Sequence, residues 1–527
     1  MNAKDAAAVD PITVQIIHGA LVAATRAMAA ILRRSARSTI IRETQDFSTA
    51  ILDTGGLLAA QSEAIPLHLN SLGYALGFCL AAYPAATLDA RDMLLVNDPY
   101  HGGQHLPDIQ VFAPVIHDGR LVAFVGNLAH HTDLSGGIGS MNPTATDVFQ
   151  EGMRIPPLKI DPSRDFDSAV GRLLAANSRQ PETLLADLNA QVAANRMGQA
   201  RVLELVAKYG VEPVLACMKS AQDACEREMR DLIRAVPAGV YTGEDFLDGD
   251  GFDTKPLRIA VTVTVQEDTL DIDFAGTDPQ ARGFVNSPFA STMSAAGTAV
   301  RAVLGNPDMT TNDGTFRPVT VRAPLGCVLN PRYPAPVRLR MNSAGRAYGA
   351  VLQALGKALP GKAAACGFDT TTCVNLGYLG ERGYSIYMEP LRGGLGGAAA
   401  ADGADAISQL LSNSANTPVE VAETDYAFFR IRDYSLAADS AGAGAHQGGL
   451  GCVREFEIIA ERVEAVYSSD RANHRPWGLA GGAEGTIGRV VLVRDGVATQ
   501  LPANGAAVTL HRGDRLRVET GGGGGLG

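Results

Sequence analysis

The chain is 527 residues long, with 46% hydrophobic and 19% charged residues, a net charge of −11 and a pI near 5.4. At about 100 to 200 residues per domain that length predicts three or four globular domains, and the acidic balance excludes the basic footprint of a nucleic-acid or anionic-membrane binder. The seven cysteines show no CxxC spacing, which implies no disulfide framework and fits a reducing compartment.

The opening MNAKDAAAVDPITVQ lacks the basic-then-apolar pattern of a leader. No uninterrupted apolar run approaches the length of about 20 residues that spans a bilayer, so the expected location is the cytoplasm. Asp10 is placed to cap a helix, Pro11 suits its first position, and apolar residues recur at helical spacing through Leu32. DFSTAILDTGGLLAAQ reads as two short strands joined at an Asp/Gly turn. HLNSLGYALGFCLAAYP follows as a helix, and RDMLLVNDPY as a buried strand ending in a turn that Asp98 caps.

The octapeptide HGGQHLPD, residues 101–108, leads into IQVFAPVI, a turn at HDGR, and the returning LVAFVGNLAHHTD. With 117 opposite 120 across Asp118-Gly119, the antiparallel ladder pairs 107 with 130 and brings the octapeptide beside His130 and His131. Residues 184–235 carry two helical patterns broken at Gly210 and Pro213, expected as an antiparallel pair. From about 239 the chain turns β-rich, with a small-residue helix near 290–304, and from about 420 it is mostly strand and turn. GGLGGAAAADGADA (393–406) and the terminal GGGGGLG read as flexible loops or tails. The expected fold class is a multidomain α/β (mixed α+β) chain: an N-terminal α+β unit (1–183), a helical pair (184–238), a mixed α/β unit (239–419) and a β-rich C-terminal unit (420–527).

Five of the ten histidines lie between residues 101 and 131, and four of them, His101, His105, His130 and His131, fall at the end of the hairpin away from its turn. His105 and Asp108, in the pattern HxxD, converge with His130 across the hairpin. Two imidazoles and a carboxylate are a ligand set that leaves positions for water and substrate. The competing reading is of histidines that merely hydrogen-bond backbone. His101 and His131 are candidates for general acid/base work or for bonding a ligand, and Asp133 for orienting His130 or His131. Asp46 and His68 lie upstream, beyond the reach of the hairpin argument. GGLGG and GAGAHQGGLG lack both GxxxxGK[ST] and the strand–GxGxxG–helix context, so no nucleotide site is expected there. No cysteine has an adjacent histidine or basic group that would make it a nucleophile.

Several stretches together resemble the hydantoinase B/oxoprolinase family, related to the large subunits of acetone and acetophenone carboxylases. They are RETQDFSTAILDTGGLLAAQSEAIPLHLNSL, VNDPYHGGQHLPDIQVFAPV, NLAHHTDLSGG, DVFQEGMRIPPLKI, DIDFAGTDPQARGFVNSP, NTPVEVAE, DSAGAGAHQGGLGCVREFE and RPWGLAGG, and they run over nearly the whole chain. The resemblance implies a divalent metal (Zn, Mn or Fe) on His105, Asp108 and His130, with Asp46 as a fourth ligand. It implies an A-type partner subunit that binds ATP, and hence a hetero-oligomer. In the lactam-opening branch ATP phosphorylates the amide oxygen and water at the metal attacks the activated carbon. In the carboxylase branch a ketone is carboxylated, and a noncatalytic scaffold is the reading outside catalysis. Chains of this family commonly continue past a glycine run like GGGGGLG, so an absent or truncated tail is the expectation here.

Overall fold

Asp10 and Pro11 start the first helix as the sequence predicts. The Asp10 carboxylate accepts from the amides of Ile12 and Thr13, and the helix runs Pro11–Ser35. The structure, a computed structural model, describes residues 10–62, 65–134, 136–306, 308–381, 383–503 and 506–527, so the leader-free reading of residues 1–9 lies outside it. By length and composition Pro11–Ser35 is apolar enough to cross a membrane, and is the one such helix among the described residues, which the sequence reading did not anticipate. Its Ile17, Leu21, Met28 and Leu32 nonetheless pack into a protein core.

Both predicted hairpins form, and they belong to one antiparallel sheet. Its order is Leu58–Gln61, Phe47–Leu52, Arg120–His130, Asp108–His117, Met93–Val96 and Leu158–Ile160. Asp118 and Gly119 take positive φ values of 48° and 76°, the requirement of a two-residue hairpin turn. His117 faces Arg120 as predicted, but the register shifts between Val115 and Ile116. That bulge adds a residue to one strand, so Asp108, not residue 107, lies opposite His130. Both faces of the sheet are covered. Val111, Ala113 and Val125 pack on the first-helix side, while Phe112, Phe124 and Leu128 pack under helix Pro66–Ala82.

The two central helices are Pro181–Tyr209 and Val211–Arg234, broken at Gly210. Pro213 instead sits in the first turn of the second helix, where a missing N–H leaves no bond unmade. They are not chiefly a pair: Pro181–Tyr209 packs along Pro11–Ser35 and the sheet. There Gln191 donates to the Ile109 carbonyl (2.8 Å) and Asn195 to that of Val111 (3.0 Å). The boundary drawn at 183/184 crosses this shared core, since Leu188, Val192 and Val202 join Ile17 and Leu21.

A second sheet runs Val319–Arg322, Thr269–Asp273, Leu257–Gln266, Gly239–Leu247, under helices Phe289–Leu304 and Arg340–Ala358. The first of these helices was legible. Arg340–Ala358 was not, because it is buried almost all round and its polar residues Arg340, Asn342, Ser343 and Arg346 are buried with the apolar ones. Two further sheets complete the chain. One pairs Gly383–Leu391, Thr372–Gly380, Arg462–Ser468 and Ala506–His511, so the 419/420 boundary crosses it; the other joins Phe429–Leu436, Cys452–Ile458, Arg515–Glu519, Arg489–Arg494 and Val497–Gln500.

The glycine-rich segments are not the flexible tails expected. Gly521–Leu526 is buried and extended, and its glycines bond to several neighbouring segments in turn. Gly523 N–H donates to Gly449 (2.9 Å), Gly524 to Cys366 (2.8 Å) and Gly525 to Ala483 (2.8 Å), while Gly394 donates to Gly521 (3.1 Å). A Cβ on Gly523 would lie 1.8 Å from the Leu395 carbonyl oxygen, so glycine here permits close backbone packing. In the other segment Ala399–Asp402, Ala404 and Asp405 are exposed.

Candidate metal centre

The octapeptide is held in place by its neighbours. Asn97 donates to the Leu106 carbonyl (2.6 Å) and accepts from the Ile155 amide (2.6 Å), and Asp98 caps Tyr100 as the sequence predicts (3.0 Å). Gly102 turns at φ 83° against helix Pro66–Ala82, where a Cβ would meet Ala75 Cα at 2.4 Å. Gly102 therefore lets the loop lie on the helix that carries His68.

Three donors converge. Asp108 Oδ1 lies 2.8 Å from His105 Nε2 and 2.9 Å from His130 Nδ1, and these two nitrogens are 3.2 Å apart. All three residues are buried. Asp46 Oδ2 is 3.8 Å from His130 Nδ1, and His68 Nε2 lies 3.8 Å from Asp46 Oδ1 and 3.7 Å from Asp108 Oδ2. The other oxygen of Asp108 accepts from Arg340 Nη2 at 2.6 Å. Arg340 is itself held by Gln104 Oε1, whose amide donates to the Leu67 carbonyl at 2.5 Å.

Electrostatics sorts these groups. Burial pushes the Asp108 carboxyl up, but His105 and Arg340 outweigh it and hold the group well below the carboxylate range. Burial lowers His105 well below the usual imidazole value, with Arg340 adding to the effect, and takes His68 to about 3. Asp46 is raised by burial to about 6, against the pull of His130. The ionised Asp108 carboxylate thus stands beside the neutral rings of His105 and His68.

That arrangement fits a cation. His105 Nδ1 donates to the Arg338 carbonyl (3.0 Å), so the neutral ring turns its Nε2 lone pair on an acceptor-only carboxylate 2.8 Å away. Two lone pairs at that distance repel unless a positive charge lies between them. His130 Nε2 is also buried without a partner. The cavity they line, with Asp46, His68, Arg338, Arg340 and Cys373, holds about 70 Å³. This suits an ion with a few waters; small-molecule pockets commonly span about 300–1,000 Å³.

The remaining predicted residues lie elsewhere. His101, with its side chain 45% exposed, bonds Asp98 Oδ2 (2.8 Å) and stands edge-on to Phe78. His131 bonds Gln191 Oε1 (2.9 Å) on the opposite side of the sheet, because consecutive residues leaving a strand point to opposite faces. Asp133 accepts from the amide, Nε and Nη2 of Arg179 (2.6, 3.1 and 2.7 Å). Sequence reasoning left His68 undecided and missed Arg338 and Arg340. The latter pair lies more than two hundred residues downstream, and PVRLRMNS offers only two closely spaced arginines as a signal.

Together these features define a multi-sheet α/β chain built around one buried His/Asp cluster. The chain belongs to the hydantoinase B/oxoprolinase family, whose profile matches residues 10–527. It is 33% identical over 514 residues to the B component of the "Putative D-/L-hydantoinase" of Pseudomonas sp. (strain NS671), covering 94% of this chain and 85% of that one. It is 30% identical to the beta component of the Pseudomonas jessenii caprolactamase, covering 98% and 90%. Identity to the 5-oxoprolinase of Dictyostelium discoideum is also 30%, covering 98% of this chain but 40% of that longer protein. Among solved structures, the ATP-dependent caprolactamase of Pseudomonas jessenii superposes with a TM-score of 0.91 at 29% identity, covering 98% of this chain and 91% of the other. A nucleotide-free acetone carboxylase shares the fold at a TM-score of 0.87 and 19% identity, covering 98% and 76%.

Proposed function

We propose that this chain is the metal-bearing subunit of an ATP-dependent amidohydrolase that opens hydantoin, 5-oxoproline or similar lactam rings. It would work in the cytoplasm with an A-type subunit that binds ATP. The observation that carries the reading is the convergence of His105, Asp108 and His130 in one buried cluster, in a chain that aligns with the beta component of a caprolactamase over most of both lengths.

His105, Asp108 and His130 would hold a divalent ion, Zn, Mn or Fe, with Asp46 as a fourth ligand. Such an ion supplies Lewis acidity, polarising an oxygen and lowering the pKa of water. The chain's own groups do the rest. Arg340 keeps Asp108 ionised and fixed, and the Arg338 carbonyl sets the His105 tautomer. On the partner, the lactam oxygen takes the γ-phosphoryl group of ATP and ADP leaves. Water then bonds to the ring carbon and the C–N bond opens as nitrogen gains a proton, leaving an acyl phosphate. A second water attacks that carbon, and phosphate departs with the former carbonyl oxygen to leave the carboxylate. His101, His131 and Asp133 act at a distance in this scheme, His131 and Asp133 by bracing the strand ends.

Reconstitution with the A-type subunit tests the proposal. Lactam-dependent ATP consumption without bicarbonate is expected. A strict requirement for bicarbonate and a ketone would replace it with a carboxylase, and full activity without metal would leave this chain a scaffold.

A further inference from the structure

Arg338 is 5% exposed, its Nη1 is buried without a hydrogen-bond partner, and its side chain makes no ion pair among the described residues. It lines the same cavity as His105 and His130. Its backbone is pinned at both ends, since its amide donates to Glu151 Oε1 (2.7 Å) and its carbonyl accepts from His105 Nδ1 (3.0 Å). The side chain therefore projects from a fixed point beside the metal-type donors.

A buried guanidinium without a carboxylate is costly, and proteins that keep one generally supply an anion to it. The nearby acids do not fill that place. Asp108 is taken by Arg340, Asp46 stands against His68 and His130, and Glu151 turns its Oε1 to the amides of Val337 and Arg338. Burial raises the Cys373 thiol to about 11. Of the two guanidinium groups that line the cavity, Arg340 is paired with Asp108, whereas Arg338 has no carboxylate in ion-pair contact among the described residues, and that guanidinium is the place for an anion.

We infer that Arg338 binds the phosphoryl group of the activated substrate, or the phosphate released from it, alongside the His105–Asp108–His130 cluster. The inference rests on the lactam-opening reading above. Neutral lactam rings bring no charge of their own, whereas the phosphoryl group from ATP is an oxyanion whatever the ring, and the forked guanidinium matches it in shape and charge. Arg338 would hold the leaving group while the metal donors face the carbon.

The test is calorimetric titration of the full chain, metal-loaded and metal-free, with inorganic phosphate, phenyl phosphate, acetate and bicarbonate. Wild type is expected to bind phosphate or phenyl phosphate in preference to acetate and bicarbonate. Binding of the ester assigns the phosphorylated substrate, and binding of phosphate alone assigns the released product. Arg338→Gln should weaken that binding by about ten-fold or more with metal content unchanged. Arg338→Lys should retain part of it and serves as the deciding variant where the glutamine substitution fails to fold. Equal phosphate binding by the variants and wild type overturns the inference, as does a wild type that prefers bicarbonate or binds no phosphate. Lactam-dependent ATP consumption by the assembled complex reads the proposed function separately. A complex active on lactams whose phosphate binding ignores Arg338 sinks this inference alone.

Discussion

Asp108 and His130 sit directly opposite one another across the antiparallel ladder, and Asp108 Oδ1 lies 2.9 Å from His130 Nδ1. Their facing is a consequence of the bulge near Val115, which moves the pairing by one residue and so puts a carboxylate, in place of Pro107, on the face that His130 occupies.

His105→Ala and His130→Ala should each abolish stoichiometric divalent metal in the purified protein, as read by elemental analysis. Each removes one of three donors that lie within 4.8 Å of one another. Unchanged metal content in both variants would remove these residues from the ligand set.

Arg340→Met should weaken metal affinity by about 10- to 100-fold, because it removes the group that fixes the Asp108 carboxylate. It also leaves Asp108 ionised and buried without its cation, at a cost of about 3–5 kcal/mol. Competition with a chelator and chemical denaturation measure the two effects. A variant as stable as wild type would show that Asp108 is compensated elsewhere.

Glu151 is fully buried, and burial raises it to about 8, above its unfolded value near 4.5, although the amides of Val337 and Arg338 pull the other way. The folded state therefore holds a proton that the unfolded state has released, so Glu151 contributes stability below about pH 4.5 that is lost as pH rises through 8. The slope from this one group is at most about 1.4 kcal/mol per pH unit. Glu151→Gln keeps the acceptor for both amides and should flatten denaturation midpoints between pH 6 and 8. An unchanged slope would show that Glu151 ionises normally.

Gly523→Ala should cost at least about 2 kcal/mol, since its Cβ would collide with the Leu395 carbonyl in a region where backbone packs on backbone. Thermal unfolding measures it. An alanine variant with the wild-type midpoint would mean that these segments separate easily.

Much of the N-terminal half was legible because its signals are local. The Asp10 cap, the Asp118-Gly119 turn and the alternation through Phe112 and Phe124 are each written within a few residues, and the hairpin alone brought His105 and Asp108 to His130. Other features depend on partners distant in sequence. The bulge at Val115, the turning of His131 to Gln191, the capture of Asp133 by Arg179, and the arrival of His68, Arg338 and Arg340 follow from packing between segments. The same holds for GGGGGLG, which composition presents as a tail and which becomes buried only when other glycine-bearing segments bring their carbonyls to it. Periodicity and turn chemistry thus determined which elements form and which donors share a hairpin. Only the tertiary structure decided what stands behind each donor, because that depends on burial and charge contributed by distant parts of the chain.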